Sequence, residues 1–211
     1  MAAPPLDRRI SPIIRSTLLG GARPRVLAGM RGFMKGNNFY IFTGGPGAGK
    51  TTLLEALRAR GYACVDEAAR KVLRHQAEIG GNATHDGDRA AYRDLMLAQG
   101  LADFHAVTET TAPVFFDRAI PELSGYGNAP GQGDPPALTR AIAECRYADT
   151  VFLFPAWQEI YVHDDLRKHT FEHAVRVTHA SRAVYERHGY RVVEVPRASV
   201  EERVRFVLDA L

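Results

Sequence analysis

Cysteine is scarce in this chain of 211 residues, and long apolar runs are missing from its first segment. The two cysteines, Cys64 and Cys145, form neither a disulfide framework nor the spacing of a thiolate metal site. Arg15 interrupts the apolar residues of 13–19, so no run there is long enough to cross a membrane. We therefore predict a cytoplasmic protein in a reducing compartment, with no membrane span.

Acidic residues are also rare at the start of the chain. Residues 1–38 contain seven basic side chains and only Asp7 as an acid, which gives this segment a charge of +6. The remaining residues carry −3, so the basic pI belongs to the first segment and does not predict nucleic-acid binding. Residues 1–37 are expected to be a basic, poorly ordered leader. An extension upstream of a start at Met30 or Met34, or an Arg-rich targeting peptide, is the alternative.

Residues 44–52 match the pattern G-x-x-x-x-G-K-[ST], with an apolar run before it and a helical pattern after it. The glycines let successive N–H groups point at phosphate oxygens. Lys50 can then reach the β- and γ-phosphates, and the Thr51 hydroxyl can hold Mg²⁺. We predict that a nucleoside triphosphate, ATP with GTP as the alternative, binds to Gly44, Gly45, Pro46, Gly47, Ala48, Gly49, Lys50, Thr51 and Thr52.

Beyond residue 38, short apolar runs alternate with helical patterns. A Gly/Pro-rich loop at 124–136 is expected to stay mobile. Strands are predicted at 39–43, 62–65, 113–116, 151–154 and 191–195. Helices are predicted at 66–76, 89–107, 164–188 and after the capping box Ser199-x-x-Glu202. This order predicts one three-layer α/β domain over 38–211, with a mostly parallel sheet that collects ligands at the carboxyl ends of its strands.

Charged residues follow the predicted strands at this edge of the sheet. Asp117 is predicted to hold Mg²⁺, and Arg118 to clamp a phosphate or the acceptor. Asp66 or Glu67 can accept the proton of an acceptor hydroxyl, and Arg167 can close over the phosphates. Each has a plainer alternative: a helix cap for Asp117, a helix-dipole contact for the acids and a solvated helix face for Arg167.

Three blocks of the sequence together resemble one family. They are 43–52, FFDRAIPE at 115–122 and PAWQEIYVHDDLR at 155–167, with further likeness at 65–70 and 195–203. In these blocks the chain is similar to the small AAA-type P-loop proteins related to the ribosylnicotinamide kinase domain. It is more distantly similar to thymidylate and deoxynucleoside kinases. The resemblance covers about residues 38–211 and implies a kinase-like fold with strand order 2-3-1-4-5.

The resemblance also implies roles for single residues. Asp117-Arg118 resembles the Asp-Arg pair of thymidylate kinases, Arg167 would be a lid arginine, and Glu67 would face the acceptor. Trp157 and Tyr161 can stack on a flat substrate or pack in the core. The family usually has Gly at position 119 and often Asp at position 122, so the acceptor pocket departs from the family here.

We therefore predict an ATP- and Mg²⁺-dependent phosphotransferase or ATPase. It would transfer the γ-phosphoryl group to a small nucleoside-like alcohol, with Lys50, Glu67, Asp117, Arg118 and Arg167 as the catalytic residues. The alternative is a regulatory module that hydrolyses ATP or GTP slowly and acts through a protein or lipid partner. A Ras-like GTPase is disfavoured because no Asn-Lys-x-Asp element is present, and the chain is too short for an AAA+ ring subunit.

Overall fold

The computed structural model describes residues 37–107, 110–161 and 170–211. Its strands are β1 (Phe39–Gly44), β2 (Ala63–Val65), β3 (Val114–Asp117), β4 (Thr150–Phe154) and β5 (Arg191–Glu194). Its α-helices are α1 (Lys50–Ala59), α2 (Ala68–Ile79), α3 (Arg89–Ala106), α4 (Pro136–Glu144), α5 (Phe171–Arg187) and α6 (Val200–Asp209). Short 3₁₀ turns at Ile120–Leu123 and Gln158–Ile160 follow β3 and β4.

The five strands form one parallel sheet in the order β2-β3-β1-β4-β5, as predicted. β1 lies at its centre and pairs with β3 on one side and β4 on the other. The register places Phe42 beside Asp117 and Gly44 beside Phe154. The carboxyl ends of β1, β3 and β4 therefore meet at one edge of the sheet, immediately before the glycine-rich loop.

Both faces of the sheet are covered by helices. Phe39 and Ile41 of β1 point into one core with residues of α3, α4 and α5, whereas Phe42 points into a second core with α1 and α6. This alternation along β1 follows from the two-residue period of a strand and buries its apolar side chains on both faces. The result is the predicted three-layer α/β domain.

Two helices differ from the sequence prediction. α4 was not predicted, although Leu138, Ala141 and Ile142 have helical spacing and are buried in the core. α5 spans Phe171–Arg187, and the Thr170 hydroxyl accepts a hydrogen bond from the His173 N–H and caps its start; residues 164–169 of the predicted helix lie outside the described residues. Within the described residues, no helix is long and apolar enough to cross a membrane.

The Gly/Pro-rich loop between β3 and α4 is tied together by one carboxylate. Asp134 accepts hydrogen bonds from the Ser124 hydroxyl at 2.5 Å, the Gly125 N–H at 2.7 Å and the Asn128 amide at 2.9 Å. The guanidinium of Arg93 in α3 donates a further bond to the Asn128 side chain at 2.8 Å. These contacts attach the loop to the rest of the domain, although the sequence predicts that the loop is mobile.

Candidate active site

The glycine-rich loop joins β1 to α1 at the centre of the sheet edge. Gly49 has a φ of 82°, a left-handed conformation that favours glycine, and it precedes the first residue of α1. Among the described residues no side chain caps this helix, and its first turn contains no acid. The N–H groups of this turn can therefore donate to an anion, as a phosphate-binding helix start requires.

The ammonium of Lys50 lies inside the loop. Its Nζ atom donates to the carbonyl oxygens of Gly44 at 3.1 Å and Gly45 at 2.8 Å. Burial and the nearby positive charge of Arg118 lower the pKa of Lys50 to about 8, although Asp117 and Glu67 act in the opposite direction. Lys50 is thus a desolvated cation whose charge a bound phosphate would stabilise.

Helix α5 fastens the loop from one side. The Gly45 N–H donates to the Thr178 hydroxyl at 3.0 Å, and that hydroxyl donates to the Ala174 carbonyl at 2.8 Å. A Cβ atom on Gly45 would lie 2.4 Å from the same carbonyl oxygen, so only glycine permits this approach. The backbone at Gly45 is therefore held in place before any ligand binds.

Asp117 ends β3 and is 5% exposed. Its Oδ1 atom is buried and has no hydrogen-bond partner among the described residues. Burial raises the pKa of Asp117, while the positive charge of Lys50 lowers it and the negative charge of Glu67 raises it. A buried carboxylate oxygen with no donor is costly, so this position fits an oxygen ligand to a cation better than a helix cap.

Arg118 has a strained backbone and a fully engaged side chain. Its φ is 63°, and it is the only non-glycine residue with positive φ in the part of the chain described here. Its N–H donates to the Phe42 carbonyl at 2.9 Å, and its guanidinium donates to the Gly44 carbonyl at 2.8 Å. Such strain persists only where surrounding contacts fix it, and it is frequent at functional sites.

Two carboxylates hold the Arg118 guanidinium. Glu67 binds its Nε atom at 3.0 Å, and Glu122 binds Nη1. Although burial alone would lower it, the pKa of Arg118 is raised by Glu122, Glu67 and Asp117. The structure thereby brings four of the predicted residues, Lys50, Glu67, Asp117 and Arg118, into mutual electrostatic contact.

The structure separates the two acids that follow β2. Glu67 faces the site: besides Arg118, it binds Arg70 at 3.0 Å, and Arg70 also donates to the Thr51 hydroxyl at 3.4 Å. Asp66 points away from the site and pairs with Arg58 at the surface. Burial opposes ionisation of Glu67, but Arg118, Lys50 and Arg70 together lower its pKa. Glu67 is therefore a carboxylate at neutral pH.

Glu122 is a residue of the site that the sequence analysis did not assign. In addition to Arg118, it accepts hydrogen bonds from the Thr43 hydroxyl at 2.9 Å, Ser181 at 2.8 Å and Tyr185 at 3.1 Å. It therefore links β1, the turn after β3 and α5. A signal was available in the sequence, because Ser181 and Tyr185 are polar residues four apart on the apolar face of a helix.

Replacing Glu122 with Gln is expected to destabilise the fold by about 2–4 kcal/mol, because the Arg118 cation loses a buried partner and three donors lose a charged acceptor. Urea unfolding measures this change. Glu201→Gln is the matched control: Glu201 pairs with Arg60 at the surface, and its loss should cost less than about 0.5 kcal/mol. Equal stability of the two variants would contradict the central position of Glu122.

The remaining predicted residues have separate outcomes. Tyr161 is buried against Phe171 and belongs to the core, not to a stacking surface. Trp157 is partly exposed and lies beneath the guanidinium of Arg203. Arg167, the predicted lid arginine, lies outside the described residues, as do residues 1–36 of the predicted leader.

The parallel sheet, the glycine-rich loop and the charged strand ends define a P-loop domain of the nucleoside and nucleotide kinase type. The model of a family described as "AAA domain" matches residues 39–203, and the chain belongs to that family. It has no match among the curated proteins. Membership of the ribosylnicotinamide kinase group within the wider family stays a prediction.

Two solved structures resemble this fold. Thymidylate kinase from Ehrlichia chaffeensis is 18% identical with a TM-score of 0.51, and the match covers 83% of this chain and 98% of that one. Shikimate kinase from Acinetobacter baumannii, solved in complex with shikimate, is 13% identical with a TM-score of 0.52. This match covers 84% of the present chain and 94% of the shikimate kinase chain. Both are similar in fold, and at these identities the likeness extends no further.

Proposed function

We propose that this protein is an ATP- and Mg²⁺-dependent phosphotransferase whose acceptor is the hydroxyl group of a small nucleoside-like molecule. The observation that carries the proposal is the placement of Asp117 beside Lys50, with Glu67 and Arg118 on the β2–β3 side of the loop; the Oδ1 atom of Asp117 has no hydrogen-bond partner among the described residues. A strand-end acid such as Asp117 also holds Mg²⁺ in P-loop proteins that only hydrolyse nucleotide, whereas Glu67 and Arg118 beside it add a base and a positive charge suited to transfer to an acceptor.

The donor half of the proposed site consists of the loop itself. The free N–H groups at the start of α1 would donate to the β-phosphate, and Lys50 would compensate the negative charge of the β- and γ-phosphates. Because Gly45 is already fixed by Thr178, the loop is ordered before the nucleotide arrives, which lowers the entropic cost of binding.

The acceptor half lies at the ends of β2 and β3. A hydroxyl placed beside Glu67 would lose its proton to that carboxylate as its oxygen bonds to the γ-phosphorus. The bond from that phosphorus to the bridging oxygen breaks at the same time, and ADP leaves. Arg118 would stabilise the charge that spreads over the transferring phosphoryl oxygens. Glu67 is a weak base because it is paired with two arginines, Arg70 and Arg118. A weak base is sufficient here, since a loose phosphoryl-transfer transition state needs little help from proton removal.

The residues present fit a magnesium site that is completed by phosphate oxygens. Among the described residues, no three His, Cys, Asp or Glu side chains could hold a metal ion by themselves. The Thr51 hydroxyl and Asp117 are the two protein groups that would hold Mg²⁺, directly or through water. When bound, Mg²⁺ neutralises the β- and γ-phosphate oxygens.

The proposal is tested by incubating the full chain with ATP, Mg²⁺ and a panel of nucleosides, ribosylpyridines and related alcohols. ADP formation that depends on one acceptor class, with a phosphorylated product identified by mass spectrometry, is the expected result. Slow ADP formation that no acceptor accelerates would instead support the regulatory alternative. Nucleotide-dependent binding of a protein or lipid would then be the next measurement.

The lowered pKa of Lys50 predicts a pH dependence of nucleotide binding. Above pH 8 Lys50 loses its positive charge in the free protein, whereas in the complex the bound triphosphate keeps Lys50 protonated. The affinity for the nucleotide should therefore fall about tenfold between pH 7 and pH 9. Calorimetry in buffers of different ionisation enthalpy should show close to one proton taken up per ATP bound at pH 9. The partly buried Lys71, paired with Asp103 away from the loop, provides the control: Lys71→Met should leave both quantities unchanged.

A further inference from the structure

Arg203, near the start of α6, carries a buried positive charge that no acidic side chain among the described residues pairs with. It is 5% exposed, and its Nε and Nη1 atoms have no hydrogen-bond partner among the described residues. Burial lowers its pKa, but an arginine stays charged in a protein. Buried guanidinium donors without an acceptor are destabilising, so the two free donors of Arg203 point to a ligand that the described residues do not supply.

The position of Arg203 identifies where that ligand would lie. A Cβ atom built on Gly49 would fall 2.6 Å from the Arg203 Nη1 atom, so the guanidinium lies directly against the residue that precedes α1. Its Cζ atom is 5.5 Å from the centre of the Trp157 ring, beyond the end of β4. A cation at a helix N-terminus is repelled by the helix dipole, so the helix does not explain its presence. An anion bound at that helix terminus would explain the presence of Arg203 there.

We propose that Arg203 binds the α-phosphate of the nucleotide, from the β4–β5 side of the loop. This inference rests on the proposed function, because it takes the loop as the site of a nucleoside triphosphate. Arg118 and Glu67 occupy the β2–β3 side, so the nucleoside half of the nucleotide extends to the opposite side, past Trp157 and Arg203. The phosphate nearest to Arg203 is then the one attached to the nucleoside.

The chemistry of the guanidinium matches this role. Its donors lie in one plane and form a fork that suits the oxygens of a phosphate. Trp157 packs against Arg203 and restricts its orientation, so less side-chain freedom is lost on binding. The packing of α6 against α1, in a core that includes Leu54, Val204 and Val207, fixes the distance from Arg203 to the loop.

The first test measures nucleotide affinity. Arg203→Met should weaken ADP binding at least tenfold, since a charge-assisted hydrogen bond to phosphate is lost, and Arg203→Lys should weaken it less. The affinity of Arg203→Met for inorganic pyrophosphate, which lacks the nucleoside-bearing phosphate, should fall less than threefold. Trp157 is the only tryptophan in the chain, so its fluorescence reports binding at this position, with calorimetry as the second method. Arg205→Met, an exposed arginine on the same helix, is the matched control.

The second test separates a ligand contact from a structural one. Without nucleotide, Arg203→Met should be at least as stable to urea as the wild type, because it removes a buried, unpaired charge. A variant that is clearly less stable yet binds ADP as tightly as the wild type would show a structural role and overturn the inference. An equal loss of pyrophosphate affinity would overturn the assignment to the α-phosphate. Failure of the wild type to bind any nucleotide would instead reject the proposed function itself.

Discussion

Lys50→Ala is expected to weaken ATP binding by at least tenfold and to reduce turnover by about 100- to 1,000-fold. The substitution removes the buried ammonium that we propose compensates phosphate charge in the loop, and such pre-organised charges contribute most where water is excluded. Binding is measured by calorimetry and turnover by ADP release at saturating Mg²⁺.

The fold should tolerate this substitution. In the free protein the Lys50 ammonium is desolvated, which is the principal cause of its lowered pKa, so removing it offsets the loss of its two hydrogen bonds. We expect the melting temperature to change by only a few degrees. Lys71→Ala, at a partly buried ion pair between α2 and α3, is the control and should retain full turnover. Unchanged affinity and turnover in Lys50→Ala would refute the whole site.

Asp117→Asn should lower activity strongly without lowering stability. Turnover should fall at least about 100-fold, because an amide is a poor ligand for Mg²⁺ where a carboxylate is required. Stability at a pH above the raised pKa of Asp117 should be unchanged or higher. The raised pKa means that the ionised carboxylate is disfavoured in the folded state, and this penalty is present above that pKa and disappears as the pH falls below it.

A titration of turnover against Mg²⁺ and Mn²⁺ distinguishes lost metal binding from general damage. Wild-type activity should rise and saturate with either ion, and the Asp117→Asn variant should respond to neither at the same concentrations. Asp149→Asn is the matched control, since Asp149 is an exposed aspartate at the opposite edge of the sheet, immediately before β4. Full activity in Asp117→Asn would show that Asp117 does not hold Mg²⁺ and would support the alternative role of a helix cap.

The sequence was sufficient for the architecture and the centre of the candidate site because these depend on local patterns. The strand order follows from a resemblance carried by contiguous blocks, and the loop at 44–52 is itself one such block. Asp117 and Arg118 were predictable because they end a buried apolar run, which places them at the ligand-binding edge of a parallel sheet.

The contacts that the sequence did not predict join residues far apart in the chain. Glu122 meets Ser181 and Tyr185 about 60 positions later, and Arg203 meets Gly49 across most of the domain. No local periodicity encodes such pairs, which exist only once the helices have packed. The choice between Asp66 and Glu67 was equally open, because two adjacent acids differ only in the direction in which each side chain leaves the strand end.

The central position of β1 in the sheet also bears on how such a protein diversifies. The groups that we propose for the acceptor side all come from the chain between β2 and the turn after β3, whereas Trp157 and Arg203 come from the chain after β4. Under the proposed function, mutations that select a new acceptor would accumulate in the first stretch while the second continues to hold the same nucleotide. Chimeras that exchange residues 63–134 between relatives should accordingly inherit acceptor preference from one parent and nucleotide preference from the other.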